Sequence, residues 1–482
     1  MLGATLLLML LGLQLLPGCV ERPRPNLLMI VSDTLRADAL ACQGGAARTP
    51  NICALAERGV LFENAFSNAS WTLPSSVAMF TGNHPSEYAR SNRAGPGHAI
   101  GKWFFYVDES ERLCAEALTE AGYEAVGFLE NPVPLASNAL QGFDVIRVDD
   151  REEPEDEIEQ VADRVPLDGS DERQRRLVPA LRYLLSAGSR RFALLQWIQD
   201  PHAVYDPPPL QRQQLALDAA RLSRPLDFYT HLGSREDPER GIVSLESYVA
   251  RMSMYERVAL KSLYLAEVAS VDQRVGLLLE ALDRGGLRDD TLIVFTSDHG
   301  EGFGEHGLYL HANSFFGELV HVPLIIAGPG ITSGKRVAEP ISHVDLMPTL
   351  RDLLGVECLR GDARGRSFRS ILTGEGGPAP RGQYTVDARP EAGDALIEGS
   401  HKLISQASGK ELLFDLASDP RESRDLLEQR GDVADAMRGR LHQIRVENAE
   451  RRKANLALGD DQLLEDLSEK TLEQLRAIGY VQ

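Results

Sequence analysis

Four segments of this chain share one form: an uninterrupted apolar run that stops abruptly in a short polar or glycine-rich turn. Residues 26–31 (NLLMIV) stop at Ser32-Asp33, and residues 192–198 (FALLQWI) at Gln199-Asp200-Pro201-His202. Residues 291–296 (TLIVFT) stop at Ser297-Asp298-His299-Gly300, and residues 322–327 (VPLIIA) at Gly328-Pro329-Gly330. Residues 123–129 are a fifth candidate. Runs that are apolar throughout read as strands buried on both faces, the signature of a parallel sheet. In such sheets ligands bind beyond the carboxyl ends of the strands. Three of these ends carry Asp or His, which gathers Asp33, Asp200, His202, Asp298 and His299 along one edge. A single Asp after a strand is most often a turn residue; three such ends are harder to read that way.

Helical patterns alternate with these runs. Residues 51–58 follow Thr49 as N-cap and Pro50 at the first position. Further helices are expected over 111–120, 172–187, 245–283 (stopping at Gly285-Gly286) and 343–354 (stopping at Gly355). Residues 151–171 read as a charged surface excursion. A Gly/Pro-rich stretch after about residue 372 (TGEGGPAPRG) marks a boundary. Beyond it lie short strand candidates at 383–386, 395–397, 402–405 and 411–415, a helix at 433–453 and a polar tail at 461–482. The expected architecture is α/β: a large, mostly parallel sheet flanked by helices over 26–372, then a smaller antiparallel sheet plus helix over 373–482.

The 482 residues are 43% hydrophobic and 25% charged, which suits a globular chain and argues against disorder. The formal net charge of -20 disfavours nucleic acid as a partner. Residues 4–16 are almost wholly apolar and lead into Leu16-Pro17-Gly18-Cys19. The run is short for a bilayer span and suits a signal-peptide core. Its ending resembles a bacterial lipobox, which implies a signal peptide over 1–19 ending at the lipobox Cys, lipidation of Cys19 as the first residue of the mature protein, a tether at 20–25 and a membrane-anchored, exported protein of the cell envelope. No Lys or Arg precedes the run, a departure from the usual signal. The remaining cysteines, Cys42, Cys53, Cys114 and Cys358, show no metal-binding spacing. Buried free thiols are expected, with a Cys42–Cys53 pair left open.

Residues 70–82 (SWTLPSSVAMFTG) read as a helix start at Thr72. A hydroxyl at that end is either a cap or a nucleophile placed where the helix dipole favours negative charge.

Together these segments resemble the sulfatase family of the alkaline phosphatase superfamily. The resemblance rests on NLLMIVSDTLRAD (26–38), TPNICALAERGVLFENAFS (49–67), WTLPSSVAMFTG (71–82), QGFD (141–144), DPHAVYDPP (200–208) and FTSDHGEGFGEHG (295–307). It continues through HVPLIIAGPG (321–330), ISHVDLMPTL (341–350), GRSF (365–368), ELLFDLASDPRESRDL (411–426) and LEQLRAIGYVQ (472–482). The resemblance implies one divalent metal ion (Ca, Mg, Mn or Zn) held by Asp33, Asp298, His299 and Thr72, with Thr72 also the nucleophile. It places His202 and His311 where groups touch the anion or protonate the leaving oxygen; His311 stands where many sulfatases have Lys.

The sequence also departs from the family. The usual nucleophile motif is C/S-x-P-S-R, whose Cys or Ser is oxidised to formylglycine. Here Thr72 takes that position and Ser76 replaces the Arg, leaving Ser76 as a candidate substrate contact. Thr34 replaces a frequent second Asp, and Gln196 a frequent His. Oxidised Thr would be a ketone, so no formylglycine is expected and Thr72 is read as a plain alkoxide. That leans toward phosphate mono- or diesters over sulfates as the envelope or medium substrate. Two other readings stand: an envelope transferase working through phosphothreonine, and a non-catalytic anion-binding protein.

Overall fold

The computed structural model describes residues 24–91, 103–148, 153–215, 217, 219–223, 252–312, 314–358, 363–376, 383–386, 393–406 and 408–456. The leader, the Cys19 lipobox and the tail at 461–482 lie outside them. The main sheet contains β1 (Asn26–Ser32), β2 (Gly59–Phe66), β3 (Glu124–Leu129), β4 (Asp144–Arg147), β5 (Phe192–Ile198), β6 (Thr291–Ser297), β7 (His321–Ala327) and β8 (Lys335–Val337). Their spatial order is β8-β2-β7-β6-β1-β5-β3-β4, with Ile341–Ser342 also pairing with β2. Every residue of β1, β5 and β6 is buried, as their unbroken apolar runs require.

Helices cover both faces. One face carries α1 (Pro50–Glu57), α4 (Val178–Ser186) and the long α5 (Met254–Arg284). The other carries α2 (Thr72–Thr81), α3 (Cys114–Glu120) and α6 (Leu346–Leu354). Helix α5 starts with a capping box between Ser253 and Glu256 and ends at Gly285; of the expected span, 245–251 lie outside the described residues and Met252-Ser253 precede the helix. The expected 172–187 helix is split into Glu172–Arg175 and α4. The excursion at 151–171 contains a helix, Glu155–Ala162, which buries Ile158 and Val161.

One strand differs from its expected direction. β7 runs antiparallel to both β2 and β6. The chain leaves β6, follows the sheet edge through the hairpin Gly302–Phe303/Tyr309–Leu310 and the helix Gly317–Val320, and re-enters at that same edge. Residues 298–320 stay at that end of the sheet and do not cross back along it, so β7 runs antiparallel to β6. The Gly328-Pro329-Gly330 turn therefore lies at the edge opposite Asp33 and Asp298, which accounts for its lack of acid or imidazole.

A second sheet of four antiparallel strands follows the order β9 (Gln383–Val386), β10 (Gly393–Glu398), β11 (His401–Gln406) and β12 (Glu411–Asp415). The helix α7 (Gly431–Leu456) buries Ala434, Met437, Leu441 and Ile444 against the same core as α2 and α6. The expectation of free thiols is overturned. Cys42 pairs with Cys53, and Cys114 with Cys358, at Cα separations of 5.5 and 4.4 Å. The second bond joins the start of α3 to the segment after α6, which sequence spacing does not bring together.

His306 pins the two sheets at their junction. Its Nδ1 lies 2.8 Å from Glu318 Oε1 and its Nε2 3.0 Å from the Glu422 carbonyl, so both nitrogens need a proton. Burial opposes that charge, but Glu318 and Glu422 outweigh it and hold the pKa above its usual value. The contribution to stability is therefore complete below the unfolded pKa of about 6.5 and is lost as pH rises through the raised folded value. A calorimetric pH series on the native protein is expected to show this fall in melting temperature, and His306→Gln to lack it. A step of the same size in the variant would assign it elsewhere.

Candidate active site

Three strand ends and one helix start build the site. β1 and β6 pair in register, Ser32 opposite Ser297, so Asp33 and Asp298 emerge side by side. Helix α2 begins with Thr72 as its first helical residue and Trp71 as N-cap, so the Thr72 hydroxyl does not serve as a cap. Instead Thr72 Oγ1 lies 3.3 Å from His299 Nε2. That nitrogen is also 3.6 Å from Asp33 Oδ1 and 3.4 Å from Asp298 Oδ2. Gly300 follows for a steric reason: a Cβ there would lie 2.1 Å from the Glu318 carbonyl oxygen.

The electrostatics of this cluster call for a cation. Asp33, Asp298 and His299 are fully buried, and their ligand atoms lie within 4.8 Å of one another. Among the described residues this is the one such group of His, Cys, Asp and Glu. Each carboxylate has one oxygen engaged: Asn131 Nδ2 donates to Asp33 Oδ2, while the Thr34 and His299 backbone N–H groups donate to Asp298 Oδ1 at 3.1 and 2.8 Å. The inward oxygens, Asp33 Oδ1 and Asp298 Oδ2, are buried with no hydrogen bond. Burial pushes Asp298 up to about 7, and burial plus the Asp298 charge holds Asp33 well above its usual range. Two buried anionic oxygens without donors are costly unless a positive charge sits between them.

His299 is set up as a neutral ligand. Its Nδ1 lies 2.9 Å from the Gly300 carbonyl, which can only accept, so Nδ1 carries the proton and Nε2 presents its lone pair to the cluster. Burial and the neighbouring His311 hold its pKa well below the ordinary value. The residues present therefore fit a divalent cation held by Asp33, Asp298 and His299, with Thr72 Oγ1 beside them. Thr34 is bent to the same purpose. Its φ of 55° is the left-handed region, which a β-branched residue adopts only under strain, and that turn aims its N–H at Asp298.

His202 and His311 are both brought to the site. The His311 ring lies 4.7 Å from the His299 ring and 5.0 Å from the His202 ring, centroid to centroid. Their protonation differs. His202 donates Nδ1–H to the Ala203 carbonyl at 2.6 Å, and burial together with His311 pushes its pKa down to about 4. Burial also opposes charge on His311, but Glu301, 3.1 Å from its Nδ1, overrides this and raises its pKa. Glu301 is fully buried and also accepts the Tyr205 hydroxyl at 2.9 Å. Sequence reasoning passed over Glu301, Tyr205 and Asn131. The available signals were an acid two residues beyond His299 and a polar pair, Glu130-Asn131, ending the fifth apolar run.

Ser76 is placed differently from its expected role: its hydroxyl donates to the Leu73 carbonyl at 2.7 Å and lies 3.5 Å from Ser137 Oγ, turned into its own helix. Asp200 does not join the acidic cluster; Arg173 and Arg274 claim it. Asp345 accepts the Ser342 and Arg366 N–H groups, and Glu305 pairs with Arg36 and Lys261. His343 contacts Thr296 in the core.

Comparison with known proteins agrees with this geometry. The family profile described as Sulfatase matches residues 25–356. The chain is 29% identical over 456 residues to the choline-sulfatase of Rhizobium meliloti (strain 1021), covering 86% of this chain and 84% of that protein. It is 24% identical over 438 residues to an N-acetylglucosamine-6-O-sulfatase of Bacteroides thetaiotaomicron, covering 77% and 76%. The crystal structure of the phosphonate monoester hydrolase of Agrobacterium radiobacter superposes with a TM-score of 0.65 at 23% identity, over 93% of this chain and 99% of that one. With the profile spanning most of the chain, from the first strand through the Asp-His pair, this protein belongs to the sulfatase family, ester hydrolases of the alkaline phosphatase superfamily.

Proposed function

We propose that this protein is a metal-dependent ester hydrolase in which Thr72 is the nucleophile, acting on phosphate mono- or diesters in preference to sulfates. The observation that carries the reading is the Thr72 hydroxyl 3.3 Å from His299 Nε2, beside two buried carboxylate oxygens that lack donors. A divalent cation bound there would neutralise anionic charge and lower the pKa of the hydroxyl. Thr72 Oγ1 forms a bond to the phosphorus, the bond from phosphorus to the leaving oxygen breaks, and the Thr72 proton passes to solvent. His311, whose pKa Glu301 raises, gives its proton to the leaving oxygen. Water then attacks the phosphorus of the phosphothreonine, its proton returns to Thr72 Oγ1, and phosphate (from a monoester) or a phosphate monoester (from a diester) is freed. His202 would contact the anion, a role supported by its ring lying 5.0 Å from that of His311.

The preference for phosphorus follows from the side chain. A formylglycine hydrate releases sulfate by breaking its own C–O bond, a route closed to threonine. A threonine ester must be cleared by attack at the central atom, which favours phosphoryl chemistry. The relatives named as sulfatases favour sulfate, and the phosphonate monoester hydrolase neighbour favours phosphorus. A panel of aryl sulfate, aryl phosphate and aryl phosphodiester with Mg²⁺, Mn²⁺, Ca²⁺ and Zn²⁺ tests this. Metal-dependent turnover led by a phosphorus ester is expected. Turnover led by the sulfate, with a carbonyl at position 72 by mass spectrometry, would overturn it.

We also propose an exported, lipid-anchored protein of the envelope. The lipobox-like sequence at Cys19 supports it, as do the two disulfides, which form in oxidising compartments. No helix among the described residues is long and apolar enough to cross a membrane.

A further inference from the structure

On the face of the sheet that carries α5 lies a buried ion network used by no step above. Its centre is Arg274, which is fully buried. Its Nη1 donates to both oxygens of Glu130 at 3.0 Å, and its Nη2 to Asp200 Oδ2 at 2.9 Å. Glu130 is the first residue after β3, and Asp200 follows β5 by two. One guanidinium thus ties the ends of two neighbouring strands. A buried ion pair stabilises a fold little better than apolar packing of the same volume, so its value lies in fixing geometry.

Each arm leads to the site. Along the first, Glu130 Oε2 accepts the Gln199 N–H at 3.3 Å, and the next residue is Asn131. The Asn131 amide donates to Asp33 Oδ2 while its Oδ1 accepts the Val133 N–H at 2.8 Å, so the amide cannot turn over. Along the second arm, Asp200 is the near anchor of a loop whose far anchor is Asp206. Arg173 Nε donates to Asp200 Oδ2 at 2.7 Å, and its Nη2 to the Asp206 carbonyl. The Asp206 N–H donates to Glu267 Oε1 at 2.7 Å. Between the anchors stand His202 and Tyr205, the latter bonded to Glu301.

We infer that Arg274 is a positioning residue with two separable arms. The Glu130 arm sets Asn131 against Asp33 and so governs metal affinity. The Asp200 arm sets the loop bearing His202 and Tyr205 over the reacting atoms and so governs turnover. This rests on the reading of Asp33, Asp298 and His299 as a metal centre.

The arms are tested with Glu130→Gln and Asp200→Asn, which keep shape and remove charge, alongside Arg274→Lys and Arg274→Met. Mn²⁺ binding is measured by titration calorimetry; kcat and KM are measured at saturating metal. Glu130→Gln is expected to weaken Mn²⁺ binding roughly 10- to 100-fold. Asp200→Asn is expected to hold Mn²⁺ affinity within about twofold and to lower kcat roughly tenfold at nearly constant KM. Arg274→Lys, a point charge unable to fork to both acids, is expected to lose part of each. Arg274→Met strands two buried carboxylates; if it does not fold, the two isosteric variants carry the test. Wild-type Mn²⁺ affinity in Glu130→Gln, or equal losses of affinity and kcat in both single variants, would overturn the two-arm assignment. Absence of Mn²⁺ binding by the wild-type protein would instead overturn the metal centre itself.

Discussion

Thr72→Ala is expected to lower kcat on the best substrate by on the order of 10³-fold or more, equivalent to about 4 kcal/mol of transition-state stabilisation. The loss is large because Oγ1 is the atom that forms the new bond. Ser76, one turn further along α2, is bonded to Leu73 and directed elsewhere. Folding should survive, because Thr72 is not the cap of α2 and the side-chain contact it gives up, to His299 Nε2, is long at 3.3 Å. Thr72→Ser, which keeps the oxygen, is expected to stay within about tenfold of the wild type. Stopped reactions analysed by mass spectrometry should find the transferred group on residue 72 in wild type and nowhere in the alanine variant. Full activity in Thr72→Ala would remove threonine from the mechanism and leave direct attack by water.

Stripping divalent metal is expected to abolish turnover and to lower the melting temperature, by more at pH 8 than at pH 5. The direction follows from the two buried carboxyls. Burial pushes Asp298 up to about 7, and Asp33 is raised as well, first by burial and then by Asp298. In the unfolded chain both titrate near about 3.9. The metal-free folded state therefore holds protons that the unfolded state gives up. It carries no penalty below about pH 4 and a growing one as pH climbs toward about 7. A divalent cation takes the place of those protons, so its apparent affinity should rise about tenfold per pH unit for each proton displaced until the carboxyls are ionised. Thermal unfolding with and without chelator across this range is the measurement. Identical melting curves at pH 8 would mean that the two inward oxygens are balanced by something other than a metal.

The sequence made the centre of the sheet legible because a strand buried on both faces has no polar positions to disguise it. β1, β5 and β6 stood out as unbroken apolar runs, and their ends delivered Asp33, Asp298 and His299. β2 was overlooked as a strand because Glu63-Asn64 interrupts it where its burial lapses. The direction of β7 was unreadable, since an apolar run carries no sign of orientation; the path of residues 298–320, which stay at one end of the sheet, decides it. Asn131 and Glu301 were missed for another reason. Their roles depend on which residue lies opposite in space, and neither has a spacing that announces it. The same holds for Cys114 and Cys358, 244 residues apart.

The placement of β1 has a consequence for the order of events during synthesis. This strand leaves the ribosome before the other strands of the sheet, yet it belongs between β5 and β6, with Leu27 opposite Ala193 and Asn26 opposite Thr291. At a ribosomal pace of roughly 5–20 residues per second, it waits on the order of 10 to 50 s before both neighbours exist. Contacts so distant along the chain slow the conformational search and leave an apolar ribbon without a partner in the meantime. The segment that later supplies Asp33 thus lacks a complete set of neighbours until residue 297 has been made, and the site cannot close before then.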